Sequence, residues 1–235
     1  MKNKETLDLL YDFLHRSFIH HVLWFSEVRR QIGDEKACTL LNEVWNKSLA
    51  LQIERFSKIA GFNIDEALAS LPEEKLEAVR DTMAVNWLAT DGLWFQAVEF
   101  SRGMNDAKRC NDSCWAQFSP IEAKSIKAML RMEGKAGLEG LKKALEQRLY
   151  AFINEQEITD EQQDSFVFRM KKCRVQAARN RKGLADYPCK SGGLVEYTTF
   201  AETIDSDIRT ECIACPPDNH PDDWYCAWRF YIPSL

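Results

Sequence analysis

A chain of 235 residues, 45% of them hydrophobic, can bury a core without disulfide staples. Its formal charge of −5 excludes a surface that embraces nucleic acid throughout, so any anion site must be local. The start, MKNKETLDLLYDFLHRSF, is interrupted by Asp8, Asp12, His15 and Arg16, and no later run approaches the ~18 apolar residues of a span. No signal peptide and no membrane segment are therefore expected, and the expected location is cytoplasmic.

Leu7, Leu10, Tyr11, Leu14, Phe18, Val22 and Phe25 recur at three-and-four spacing, which predicts a helix with one buried face. A second helix is predicted from Gly33 to near Gly61. The same shape returns after an offset of 70 residues: LWFSEVRRQIGDEKACTLLNEVW (23–45) and LWFQAVEFSRGMNDAKRCNDSCW (93–115) align without a gap. They share Leu23/Leu93, Trp24/Trp94, Phe25/Phe95, Val28/Val98, Gly33/Gly103, Ala37/Ala107 and Trp45/Trp115. The spacing predicts a duplicated helical hairpin, joined by NIDEALASLPEEKLEA and packed as a four-helix arrangement with the paired aromatics in its core. Convergent packing of two unrelated hairpins is the competing reading.

From Gly134 the texture changes. GLEGLKKALEQRLYAFINEQEI predicts one more amphipathic helix, and DSFVFRM a strand. CRVQAARNRKGL predicts a short basic helix closed near Gly183. GGLVEYTTFAETID places Leu194, Tyr197, Ala201 and Ile204 on one helical face. DIRTECIAC and WYCAWRFYI alternate and flank a proline-rich loop, the pattern of an antiparallel hairpin. The expected fold class is α+β: a helical repeat region over 1–133 and a cysteine-rich α+β domain with an antiparallel sheet over 134–235.

Five of the eight cysteines follow residue 172. Within TECIACPPDNHPDDWYCAW (210–228), Cys212, Cys215, His220 and Cys226 have the spacing C-x2-C-x4-H-x5-C, which suits a tetrahedral metal site. The order resembles a zinc knuckle, with one residue more in the last gap and with Pro216, Pro217 and Pro221 in the loop. Zinc is the expected ion, with iron or an iron–sulfur centre as alternatives. A redox thiol group and plain structural cysteines are the other readings. In the predicted hairpin Cys212 and Cys226 face each other across the ladder, Cys215 stands at the loop mouth and His220 hangs over them. Cys173 and Cys189 each precede a predicted helix, whose N-terminal N–H groups favour a thiolate, and both are candidate nucleophiles.

RMKKCRVQAARNRK (169–182) contains no acid. Arg169, Arg174 and Arg179 are the expected contacts of a small carboxylate or phosphate, and the surrounding charge is expected to lower the pKa of Cys173. A solvated face paired with acids from elsewhere is the bland alternative. In the hairpins, His21 and Asp91 occupy equivalent positions and Glu99 lies two turns beyond Asp91, so these three are candidate pocket residues. A satisfied His–Asp core pair is the alternative.

NWLATDGLWFQAVE (86–99), CRVQAARNRKG (173–183), PCKSGGLVEYTTFA (188–201) and CIACPPDNHPDDWYCAWRF (212–230) resemble an uncharacterised prokaryotic family labelled "cytosolic protein", over residues 80–232. More distantly, the layout that closes on Cys226, Trp228, Arg229 and Phe230 is similar to the L-2-amino-thiazoline-4-carboxylic acid hydrolase family. The near resemblance implies no agreed activity. The distant one implies a C–N-cleaving hydrolase of a small sulfur-containing carboxylate. The expectation is a hydrolase-like enzyme acting on a small anionic substrate, with a metal- or redox-responsive binding protein as the alternative; a homo-oligomer is compatible with both.

Overall fold

The computed structural model describes residues 2–233 apart from 182, 184 and 185, so Lys182 of the basic segment lies outside the described residues. The chain forms two compact units, Met1–Leu71 and Pro72–Leu235.

The first unit is the hairpin of α1 (Lys2–Ile32) and α2 (Asp34–Ala60), followed by the short α3 (Ile64–Ala69). The reversal falls on Gly33 at φ 85°, a left-handed conformation that side chains resist. Ala37 is fully buried, so α1 and α2 approach closely there. The apolar stripe expected to be covered is exposed instead: Phe18 at 67% and Trp24 at 61%, with Leu7, Leu10 and Leu14 also exposed. The physical reason is the shape of the unit, since two helices in a hairpin give each stripe one narrow neighbour.

The second unit opens with the matching hairpin of α4 (Glu73–Arg102) and α5 (Met104–Met129). Gly103, at φ 94°, makes its reversal, and Ala107 is buried like Ala37. The repeat therefore extends to the joint and the point of closest approach. Its other members diverge. Trp24 and Trp94 are exposed where a core was expected, and Trp45 is exposed at 53% while Trp115 is buried at 6%. Trp115 is covered because Trp87, Phe118 and Tyr150 pack on it, Tyr150 stacking at 5.6 Å.

The single helix predicted after Gly134 is divided. It runs as α6 (Gly137–Leu145), passes through a 3-10 turn at Leu149–Phe152, and ends as β1 (Glu155–Thr159). The remaining elements are β2 (Ser165–Lys172), α7 (Arg174–Asn180), α8 (Lys190–Ile204), β3 (Arg209–Ala214) and β4 (Cys226–Tyr231). The strands form an antiparallel sheet in the order β1-β2-β4-β3, and the expected β3–β4 hairpin is its right-hand pair in that order. Phe166, Phe168 and Met170 of β2 and Trp228 and Phe230 of β4 are buried beneath Tyr197, Phe200 and Ile204 of α8. On α8 the buried face includes Glu196 and Phe200, whereas Leu194, expected on it, is exposed at 43%.

Packing of α8 on the sheet depends on Gly193. A Cβ there would stand 2.6 Å from Cζ2 of Trp228, a side chain with no exposed surface. Neither partner can retreat, so Gly193→Ala is expected to destabilise the protein by about 1–3 kcal/mol in denaturant unfolding. An unchanged midpoint would contradict this packing.

Candidate functional site

A cavity of about 570 Å³ opens within the second unit. Its walls come from α4, α7 and α8. Leu88, Phe95 and Trp115 supply apolar surface, and Trp228 and Tyr197 close the inner end. Four thiols line it: Cys173, Cys189, Cys215 and Cys226. None of these is a neighbour of another in sequence; each sits at the end of a different element. Cys173 caps α7, Cys189 precedes α8, Cys215 follows β3 and Cys226 begins β4.

The candidate metal ligands are only partly brought together. Cys215 shares the cavity with Cys189 and Cys226, the two thiols that do most to raise its pKa. Cys212, by contrast, pairs with Trp228 across the ladder, not with Cys226. That leaves Cys212 two strand positions away from Cys226, about 7 Å along β4. His220 is engaged elsewhere: Nε2 meets Asp186 Oδ2 at 3.1 Å and Nδ1 meets the Pro221 carbonyl at 2.8 Å. Burial opposes charge on this ring, but those two acceptors outweigh it and raise its pKa. Among the described residues no group of three or more His, Cys, Asp or Glu side chains is placed to hold a metal ion.

The expected depression of the Cys173 pKa does not occur. Burial pushes this thiol up to about 12, and the Gln176 and Val175 N–H groups only partly offset it. Burial likewise lifts Cys212 to about 11, against the pull of Lys190. Cys215 is raised further, first by its contacts with Cys189 and Cys226 and then by burial, so it holds its proton.

Cys189 has a different setting. It precedes α8, a helix of 15 residues whose first-turn N–H groups have no partner within the helix. Gln176 Nε2 donates to Cys189 Sγ at 3.1 Å. The same amide bonds the Tyr187 backbone twice, Nε2 to its carbonyl at 2.9 Å and Oε1 from its N–H at 2.8 Å. Gln176 is 1% exposed, so the turn carrying Cys189 is locked to α7 by one buried side chain. No spacing pattern points to Gln176. Its signal was chemical: an uncharged polar residue among Val175, Ala177 and Ala178, on a helix otherwise basic.

The charged candidates separate. Arg174 and Arg179 line the cavity, joined by Arg181. Arg169 does not; it pairs with Asp160 at 3.1 Å and Glu157 at 3.8 Å. Lys171 and Lys172 also meet acids of β1, namely Glu157 and Glu155, so the strand half of the basic segment is the paired face. Asp91 and Glu99 line the opposite wall from α4, and burial raises the Asp91 pKa. His21 belongs to the first unit and is half-buried. The Tyr187 hydroxyl, which was not anticipated, also lines the cavity and is buried without a hydrogen-bond partner.

Behind the cavity lies a buried ion triad. Arg148, 2% exposed, donates from Nε to Glu122 at 2.9 Å and from Nη2 to Glu196 at 2.6 Å. Burial opposes its charge, yet the two carboxylates outweigh that and hold the guanidinium charged. Glu196 reaches from this triad to the cavity wall.

The model of a family described as a family of unknown function (DUF6125) matches residues 69–232. The match contains every residue that lines the cavity, from Val85 to Trp228. That description ties the family neither to a hydrolase family nor to a cytosolic-protein family. No curated protein matches the chain. No helix among the described residues is long and apolar enough to cross a membrane.

Proposed function

We propose, for a chain that belongs to this family of unknown function, that the second unit is a thiol-dependent, hydrolase-like enzyme acting on a small carboxylate. The observation that carries this reading is Cys189 itself: a cavity-lining thiol before a helix N-terminus, oriented by Gln176 and touching the protonated Cys215. Arg174 and Arg179 hold the carboxylate and the apolar walls hold the body of the substrate. In the reaction Cys189 Sγ adds to an electrophilic carbon, the C–N bond breaks, and the amine leaves with a proton supplied by the Cys189–Cys215 pair. Water then adds to the thioester-type carbon and returns the thiol. The raised Cys173 suits a structural place in the floor better than a nucleophile.

A panel of small carboxylic acids screened by thermal shift tests the binding half. A ligand found in that screen is expected to bind Arg174→Ala about ten- to a hundredfold more weakly, the worth of one charge-assisted hydrogen bond. Equal affinity for both proteins would remove the arginine from the site.

The second reading is a metal- or redox-responsive binding protein. It draws on the exposed stripe of the first unit, where Phe18, Trp24 and Ile59 offer a partner interface. A zinc or iron centre on Cys212, Cys215, His220 and Cys226 belongs to this reading and rests on their spacing in sequence. Elemental analysis of protein purified without oxygen separates the two readings, since a stoichiometric metal lost in Cys226→Ser would favour the second.

A further inference from the structure

We propose that Cys189 and Cys215 form a reversible oxidation pair: a hydroperoxide oxidises Cys189, and Cys215 closes a disulfide onto it. The proposal shares with the preceding section the reading of Cys189 as the reacting thiol, but it needs no substrate.

Three observations converge on this pair. Both thiols line the same cavity, and Cys189 is the first cause of the raised pKa of Cys215. Their backbones are stitched together one residue further on, where Lys190 N–H donates to the Pro216 carbonyl at 2.9 Å. Lys190 Nζ adds an ion pair with Asp218 at 2.7 Å, and Asp218 N–H donates to the Cys215 carbonyl at 2.9 Å. The segments carrying the two sulfurs are thus held side by side by a main-chain bond and an ion pair, neither of which involves sulfur.

Cys226 lies near Cys215 as well, but in a stiffer frame: Ala214 pairs with Ala227 at the last register of the β3–β4 ladder, and Cys215 and Cys226 are the residues next to that pair. Cross-strand neighbours hold their Cβ atoms about 4.5–5.5 Å apart, whereas a disulfide needs about 3.5–4.5 Å. Cys189 stands on the turn before α8, outside the ladder, where the Lys190–Pro216 main-chain bond holds it beside the Cys215 segment. Cys215 is 1% exposed, so it reacts with a group already inside the cavity, and a small hydroperoxide entering by that cavity meets the half-buried Cys189 first.

The chemistry balances. Cys189 sulfur attacks the terminal peroxide oxygen, the O–O bond breaks, and the second oxygen takes the thiol proton and leaves as water from hydrogen peroxide or as an alcohol from an organic hydroperoxide, giving a sulfenic acid. Cys215 sulfur then displaces the sulfenic oxygen, which takes the Cys215 proton and leaves as water. Each sulfur gives up one electron overall and the peroxide accepts both.

The test uses the full chain, reduced and then exposed to hydrogen peroxide, with free thiols blocked before unreduced peptide mapping. The expected result is a Cys189–Cys215 cross-linked peptide that a dithiol reductant removes. In Cys215→Ser the expected product is a Cys189 sulfenic acid trapped by dimedone, and Cys226→Ser should keep the cross-link. Absence of the Cys189–Cys215 peptide from peroxide-treated wild type, or a cross-link of either residue to Cys226 or Cys173, overturns the pair. The wild-type map decides the matter even if Cys215→Ser does not fold. A cross-link without carboxylate turnover would remove the hydrolase reading and keep this one; Cys189-dependent turnover without a cross-link would do the reverse.

Discussion

Arg148→Ala is expected to cost about 3–5 kcal/mol of folding stability. The loss comes less from the ion pairs than from what they leave behind. Glu122 and Glu196, at 7% and 8% exposure, would remain buried with no cation between them. Arg148 also lies 4.7 Å from the Phe200 ring centroid, so its removal empties space in the core. The pH dependence has a definite sign. Carboxyls buried without a cation have folded pKa values above their unfolded ones, so the stability they contribute is present at low pH and lost as pH rises through the folded value. The deficit of the variant should therefore shrink as pH falls toward about 5. Replacing all three residues together, by Arg148→Met with Glu122→Gln and Glu196→Gln, should recover much of the loss. A single variant as stable as wild type at neutral pH would mean the triad is open to water.

Cys189→Ser is expected to abolish turnover of a carboxylate substrate, by ~10³-fold or more, while ligand binding and melting temperature stay near wild type. The hydroxyl keeps the shape of the thiol and its place beside Gln176, yet lacks its nucleophilicity. Cys173→Ser should leave turnover within about tenfold, because a thiol lifted to about 12 by burial does not supply the attacking sulfur. If the two variants behaved in the opposite order, the assignment of the nucleophile would be wrong.

The helices and most strands could be read from the sequence because their patterns are local. Gly33 and Gly103 end their helices by backbone geometry alone, the aromatic and β-branched run of β2 marks a strand, and the alternation around β3 and β4 marks a hairpin. β1 could not be read in this way. EQEIT follows a helical pattern and has no apolar alternation; its strand character comes from pairing with β2, Glu155 opposite Lys172 and Glu157 opposite Arg169. The sequence suggested a metal cluster because Cys212, Cys215, His220 and Cys226 are close along the chain. Folding regroups them. A bulge between Cys212 and Ala214 and the pleat of β4 keep Cys215 with Cys226, while α7 and α8 deliver Cys173 and Cys189 from further away. Arg174 and Arg179 could be anticipated because α7 itself walls the cavity. Arg169 misled because its acids, Glu157 and Asp160, lie on and beside a strand that the pattern did not reveal.

Both proposed reactions require Cys189 to be the most reactive thiol of the cavity, and competitive alkylation measures that reactivity directly. Reduced protein is treated with limiting iodoacetamide at neutral pH, and the extent of labelling at each cysteine is read by peptide mass spectrometry. The predicted result is that Cys189 is labelled well ahead of Cys173 and Cys215, that it slows when a bound carboxylate fills the cavity, and that Gln176→Ala brings it closer to the others. Labelling of Cys189 no faster than that of Cys215, unaltered by any ligand, would contradict the account.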